Sequence, residues 1–403
     1  MRIAMISEHA SPLAALGGAD AGGQNVYVGA LASALAARGH RVDVYTRRDA
    51  AELSPTAELC PGVTVVHVPA GPAEHIPKDR LPPYMPEFGR WLLRTWSSDR
   101  RPDVAHAHFW MSGMATVPAA KDLGIPVVQT FHALGSVKRR YQGVADTSPP
   151  QRIRIESALG RWADLVIATC SDEVSELRKL GVPEEKVRVV PCGVDTRRFT
   201  PEGNTWPANG RHRLLSLGRL VERKGVDTVI RALPELPDAE LLIAGGPAAE
   251  KVGDDPEARR LAALADELGV ADRVILLGSV DHDTVPPVIR SADAVVTTPW
   301  YEPFGIVPLE AMSCARPVIG SAVGGLLDSV ADGETGILVP PKDPSAVAGA
   351  ARRLLADQTL RRRMGRAGRL RAEERFDWAR VAERVEQSYS EVAASSVHRL
   401  EAV

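Results

Sequence analysis

Trp300-Tyr301-Glu302-Pro303-Phe304-Gly305-Ile306-Val307-Pro308-Leu309-Glu310-Ala311-Met312 sets two carboxylates, Glu302 and Glu310, on either side of a Gly-Ile-Val turn. The stretch predicts a loop that opens into a helix, with Glu302 in the approach and Glu310 inside the helix. Free N–H groups at a helix start favour phosphate, and carboxylates accept hydrogen bonds from hydroxyls. One short segment can therefore hold both the diphosphate and the sugars of a nucleotide-sugar. Taken alone, it also reads as an ordinary acidic helix start, with Glu310 solvated and Phe304 filling a core.

Upstream, the apolar Leu214, Leu215 and Leu217 predict a buried strand that runs into Gly218-Arg219-Leu220-Val221-Glu222-Arg223-Lys224-Gly225. Arg219 and Lys224 thus fall at a strand's carboxyl end, where open parallel sheets bind ligands. Arg219 offers a fork of donors for phosphate oxygens and Lys224 a compact charge, as a departing diphosphate requires.

Short apolar runs alternate with helical patterns along the whole chain, which predicts an α/β fold with parallel sheets covered on both faces. Strands are expected at 3–6, 42–45, 63–66, 104–107, 127–129, 165–168 and 187–190, then at 214–217, 241–244, 274–277, 294–297 and 318–319. A helix from Gln24 to Arg38 should stop at Gly39. The Pro- and Gly-rich stretch 192–207 reads as an interdomain connection, giving domains at 1–200 and 201–375. Residues 376–403 form a helical tail with Val381, Val385, Tyr389 and Val392 on one face.

The 403 residues exceed one ordinary core and fit two domains of similar size. Lys plus Arg at 49 against Asp plus Glu at 51 leaves a net charge of −2, which argues against nucleic acid or an acidic membrane as partner. Cys60, Cys170, Cys192 and Cys314 lack metal-type pairing and read as reduced structural thiols. The opening apolar run is too short for a signal peptide and no stretch is long enough to span a bilayer, so a cytoplasmic protein is expected. Abundant Ala, Arg, Gly and Pro suggest a GC-rich bacterial source.

Gly17-Gly18-Ala19-Asp20-Ala21-Gly22-Gly23 follows the first strand and precedes a helix, so its glycines can bring N–H groups close to a phosphate. It is not Gly-x-Gly-x-x-Gly, which weakens a dinucleotide-dehydrogenase reading. His132 lies just past the strand at 127–130. By position alone it reads as readily as a structural histidine as a functional one. His106 and His108 have a spacing that suits a metal, but no third ligand is evident, so they read as cleft lining.

Together, Gly22-Gly23-Gln24-Asn25-Val26-Tyr27-Val28, Thr130-Phe131-His132, Gly218-Arg219 with Lys224-Gly225, and Glu302 with Glu310 resemble the retaining glycosyltransferases of family 4 over almost the whole chain. The resemblance implies the GT-B fold: two Rossmann-like domains whose parallel sheets face a central cleft, with the tail crossing back to the N-terminal domain. Within the family, 1–47 and 71–81 look most like the inositol-phosphate glycosyltransferases of mycothiol biosynthesis. The Gly22-Gly23-Gln24 turn and Ala133-Leu134-Gly135 are similar to the sucrose-phosphate synthases.

By that resemblance the donor is a nucleotide-diphosphate sugar, a UDP-sugar, held by Gly23, Arg219, Lys224, Gly305, Ile306, Val307 and Glu310. Catalysis falls to His132, which touches the donor sugar, with Arg219, Lys224 and Glu302. The acceptor is a small hydroxyl compound held by Asp20, Gln24, Asn25, Lys78, Phe109, Ala133 and Arg154. Lys78 and Arg154 match phosphate-contacting positions, and Lys138-Arg139-Arg140 adds charge nearby. Phe109 and Ala133 stand where the resembled transferases have Tyr and Thr, which leaves a phosphate preference but puts inositol selectivity in doubt. Read without the family, Lys78 and Arg154 are equally solvated surface charges.

As the anomeric C–O bond breaks, negative charge collects on the diphosphate, and Arg219, Lys224 and the 305–307 amides are suited to receive it. Glu302 should hold sugar hydroxyls and Glu310 the nucleotide ribose. The Arg219 and Lys224 pair makes a divalent ion dispensable, so no metal and no cofactor are expected. The resemblance implies retention by same-face attack without a covalent sugar. The partners are then small molecules, and a homodimer is compatible with the sequence. Two other readings stay open: a pseudo-glycosyltransferase or phosphorylase acting on cyclitols, and a non-catalytic sugar-phosphate-binding protein.

Overall fold

The structure is a computed structural model that describes residues 1–14, 22–98 and 100–401, with side chains omitted at 396–401. The chain forms two compact units, one of Met1–Pro191 with Trp378–Val403 and the other of Cys192–Asp377. Each is built on one sheet.

In the first unit the strands are β1 Arg2–Ile6, β2 Arg41–Arg47, β3 Thr56–Cys60, β4 Val63–Val68, β5 Val104–His108, β6 Val127–Thr130, β7 Leu165–Ala168 and β8 Val187–Val189. They lie in the order β3-β4-β2-β1-β5-β6-β7-β8. All neighbours run parallel except β3, which pairs antiparallel with β4 at the edge. The central strands are buried because helices cover both faces, and Ile3, Met5, Val44 and Val128 are fully buried. β3 was not expected from the sequence. Its Thr-Ala-Glu-Leu-Cys is half solvated at an edge and carries no apolar run.

The helix Gly23–Ala37 closes at Arg38, and Gly39 follows at φ 91°. This is the left-handed stop that its glycine suits. The tail helix Trp378–Glu401 packs on this helix. It buries Val381, Val385, Tyr389 and Val392, the face expected from their spacing. Glu386 ties it to His40 at 3.1 Å and to Arg38.

The second unit carries β9 His212–Leu217, β10 Ala239–Ala244, β11 Val274–Gly278, β12 Ala294–Thr297, β13 Val318–Ser321 and β14 Gly336–Val339. The order is β11-β10-β9-β12-β13-β14, all parallel. β14, a four-residue edge strand opened by glycine, was also missed. This unit begins at Cys192 rather than at residue 201, because 194–199 is bonded to the last residues of the same unit. Val194 N–H donates to Phe376 O at 2.8 Å, and Arg369 donates to the carbonyls of Thr196 and Phe199 at 3.0 and 2.7 Å.

The four cysteines are free thiols. Among the described residues no helix is long and apolar enough to cross a membrane.

Candidate active site

In the second unit the strand order reverses between β9 and β12, the switch point at which open α/β sheets bind ligands beyond the carboxyl ends of their strands. The loops that leave those two strands are stitched together. Thr298 Oγ1 donates to Gly225 O at 2.8 Å and Trp300 N–H to Arg223 O at 2.9 Å. Gly225 sits at φ 67°, and a Cβ there would run into Thr298 O, so only glycine lets the loops close. The consequence is an ion pair between Lys224 Nζ and Glu302 Oε2. Arg219 follows Gly218 on the same loop and is exposed.

A third loop, after β13, completes this group. Gly325 N–H donates to Glu302 O at 2.7 Å, and a Cβ on Gly325 would lie 2.9 Å from the carbonyl oxygens of Pro303 and Phe304. The Gly324-Gly325 pair was overlooked in the sequence, although two glycines just beyond an expected strand signal close backbone approach. The helix Ile306–Ser313 then starts from Gly305 at φ 72°. By helix geometry the leading N–H groups, including those of Ile306 and Val307, have no acceptor within the helix. Glu310 lies one turn further in.

The two carboxyls differ sharply. Burial pushes Glu302 up, but the charge and hydrogen bond of Lys224, with Arg223 and the Phe304 N–H, outweigh it, and the group ends below the usual range. Burial also lowers Lys224, which Glu302 pulls back up. For Glu310 burial dominates and Arg198 offsets only part of it, leaving a pKa of about 8. Carboxyls pushed apart in this way are suited to different tasks.

In the first unit the order reverses between β1 and β5. Gly23 opens the helix that follows β1, and Gln24 Nε2 donates to Ser7 Oγ and His108 O at 3.1 and 3.3 Å. Asn25 is buried and serves the turn itself: its Oδ1 accepts from Gly22 N–H at 3.0 Å and its Nδ2 donates to Ser11 O at 2.9 Å. Asp20 lies outside the described residues. At the end of β5, Phe109 takes φ 84°; after β6, His132 takes φ 62°, with Ala133 N–H bonded to Phe131 O at 2.7 Å. Such tight turns at non-glycine residues are strained by about 1–3 kcal/mol and persist where the surroundings enforce them.

Lys78 Nζ lies 5.9 Å and the Arg152 guanidinium 4.9 Å from the centre of the Phe109 ring, with His9 edge-on at 5.0 Å. Arg152 also donates to Ala133 O, to Ser148 at 3.1 Å and to Glu156 at 2.7 Å. The expectation of Arg154 is corrected here. Arg154 is exposed, two residues further along the helix Arg152–Trp162 and so on another face, while Arg152 is the arginine that joins Lys78, Phe109 and Ala133. Of the basic run, Lys138 meets Ser148 and Asp146, both at 3.0 Å, but Arg140 pairs with Glu176 at 2.8 Å.

Comparison with known proteins gives matches to the Glycosyltransferase Family 4 profile over residues 21–198 and the Glycosyl transferases group 1 profile over 204–371. A D-inositol 3-phosphate glycosyltransferase of Acidothermus cellulolyticus is 39% identical, over 98% of this chain and 91% of that protein. The counterpart from Xylanimonas cellulosilytica is 38% identical over 94% of each. Among solved structures, sucrose-phosphate synthase from Thermosynechococcus elongatus superposes with a TM-score of 0.88 at 34% identity, covering 98% of this chain and 99% of that one. Anabaena HepE, solved with UDP-glucose, has a TM-score of 0.74 at 22% identity over 97% and 100% of the chains, a likeness of fold.

Proposed function

The chain belongs to the glycosyltransferases of family 4 and group 1, and from that premise we propose that it moves a sugar from a UDP-sugar to a hydroxyl of a small phosphorylated acceptor. The observation that carries this reading is the Lys224–Glu302 pair at the β9/β12 switch point, beside Arg219 and the helix start at Gly305.

In this reading Arg219, Lys224 and the Ile306 and Val307 amides receive the negative charge that grows on the diphosphate, and Glu302 orients the sugar hydroxyls. Glu310 accepts from the ribose, and His132 meets the transferred sugar. The acceptor oxygen bonds to the anomeric carbon on the face that the diphosphate leaves, and the acceptor proton passes to the departing diphosphate oxygen. Configuration is therefore retained. Two fixed cations and a helix start meet the charge that a divalent ion would otherwise neutralise, so transfer proceeds without a metal.

Lys78 and Arg152 beside Phe109 favour an anionic acceptor. The D-inositol 3-phosphate transferases similar to this chain name one such acceptor, and sucrose-phosphate synthase is named for a phosphorylated product. A cytoplasmic setting fits a UDP-sugar substrate. Incubation with UDP-sugars and paired acceptors, phosphorylated and dephosphorylated, with and without EDTA, tests the reading. Transfer to the phosphorylated acceptor alone, unaffected by EDTA, is expected. Transfer that needs added metal, or that ignores the phosphate, overturns the corresponding part.

A further inference from the structure

The loop that leaves β1 carries Ser7-Glu8-His9 to the β1/β5 switch point of the first unit. Glu8 is fully buried, a rare place for a carboxyl unless its oxygens are hydrogen-bonded. Both of its oxygens are engaged. Ser112, equally buried on the helix Trp110–Leu123, donates its hydroxyl to Glu8 Oε2 and accepts the Glu8 N–H at 3.1 Å. The other oxygen, Oε1, lies 2.6 Å from His9 Nδ1.

That contact decides where the imidazole keeps its hydrogen. A bare Nδ1 lone pair does not sit 2.6 Å from a carboxylate oxygen without a hydrogen between them. The hydrogen belongs on the nitrogen, because an ordinary imidazole is a stronger base than a carboxylate. Ser112 points the same way: among the described residues its hydroxyl hydrogen has Oε2 as its acceptor, so the carboxyl group accepts at that oxygen as well. The hydrogen bond at one ring nitrogen sets the state of the other. With Nδ1 protonated, the neutral ring leaves Nε2 bare, across the ring from Glu8. Nε2 has no hydrogen-bond partner among the described residues, and the His9 side chain stays 10% exposed.

We propose that Glu8 is a positioning residue that acts through His9, holding its hydrogen on Nδ1 so that Nε2 accepts a hydrogen bond from a hydroxyl of the acceptor. The His9 ring stands edge-on to Phe109 at 5.0 Å, and the same Phe109 ring is met by Arg152 at 4.9 Å and Lys78 at 5.9 Å. The group therefore offers cations, which take an anion, and a bare nitrogen, which takes a hydrogen-bond donor. A compound with a phosphate and a neighbouring hydroxyl satisfies both, whereas an anion without a hydroxyl satisfies the cations alone. That this compound is the transfer acceptor rests on the function proposed above; the placement of the hydrogen does not.

Nitrogen-15 spectra of histidine-labelled wild-type protein at pH 8 report the tautomer directly. His9 is expected to carry hydrogen on Nδ1 alone, and hydrogen on Nε2 overturns the proposal. Added D-inositol 3-phosphate should then move the Nε2 line, while sulfate, an anion without a hydroxyl, should not; equal shifts overturn the hydroxyl role. Glu8→Gln keeps the shape of the side chain. Its amide oxygen takes the Ser112 hydroxyl, and its NH2 turns to His9 and drives the hydrogen to Nε2. In that variant KM for D-inositol 3-phosphate should rise about tenfold or more, with KM for the UDP-sugar unchanged. An unchanged acceptor KM, or equal rises in both constants, overturns the role of Glu8, and a variant that fails to fold leaves the wild-type spectra to decide. The expected tautomer in a protein that transfers sugar to no phosphorylated acceptor would support the hydrogen placement and refute the transfer reading alone.

Discussion

Lys224 and Glu302, brought from the ends of β9 and β12, form an ion pair in which each is lowered from its ordinary pKa. The pair holds in place, before any ligand arrives, the cation proposed to meet the diphosphate and the carboxylate proposed to meet the sugar. Such preorganisation spares reorganisation during reaction.

Removing one partner should therefore cost both stability and turnover. Lys224→Met is expected to lose about 1–3 kcal/mol, because the mostly buried Glu302 is left without its partner. Adding Glu302→Gln should restore most of that stability. Turnover should remain about two to three orders of magnitude down in both proteins. Chemical denaturation with steady-state kinetics checks this, and a double variant no more stable than the single one would refute the pairing.

Arg219 is exposed and follows a glycine, so its truncation should leave the melting temperature unchanged. Turnover of Arg219→Ala should nonetheless fall about 100-fold or more, as when one transition-state donor is lost. Near-wild-type turnover at saturating donor would remove Arg219 from the site.

Glu310 makes a signed prediction about pH. Its carboxyl titrates at about 8 in the folded protein against about 4.3 in an unfolded chain. Across that window the folded state holds a proton that the unfolded chain has lost, so the contribution is fully present at acidic pH and falls away as pH rises. Glu310→Gln should melt with the wild type near pH 4 and above it at pH 8. If the ionised carboxylate receives the ribose, nucleotide affinity should rise with pH up to about 8 in the wild type and stay flat in Glu310→Gln. Parallel pH profiles in the two proteins would contradict the assignment.

For the acceptor, Lys78→Ala should raise KM for a phosphorylated acceptor about tenfold or more and leave that for its dephosphorylated twin unchanged, the pattern of a lost charge-assisted contact. Arg154→Ala should behave as wild type with both, since Arg154 faces solvent. A clear loss in Arg154→Ala would restore it to the site and displace Arg152.

The parts of this protein that are legible in sequence are those written in local pattern. β7 announces itself because a strand buried on both faces is apolar throughout, and the helix start at Gly305 because glycine, proline and the flanking glutamates mark it. β3 has no such mark, since half of its residues face water. The Lys224–Glu302 contact spans two strand ends that only the sheet order makes neighbours. The Arg152/Arg154 error is one of helical phase: two residues turn a helix by more than half a revolution, and nothing in the sequence says which arginine faces Phe109. Nor does sequence reveal that Asn25 spends its amide on its own turn.

The most direct measurement is the melting temperature of the wild type and of Arg219→Ala and Glu310→Gln variants across a titration of UDP and UDP-sugars at pH 8, in EDTA. A ligand that binds only the folded state raises the melting temperature by mass action. The wild type should be stabilised in a concentration-dependent way, with the rise reduced in Arg219→Ala and in Glu310→Gln. No rise with any nucleotide-diphosphate, or equal rises in all three proteins, would contradict a donor site at the β9/β12 switch point.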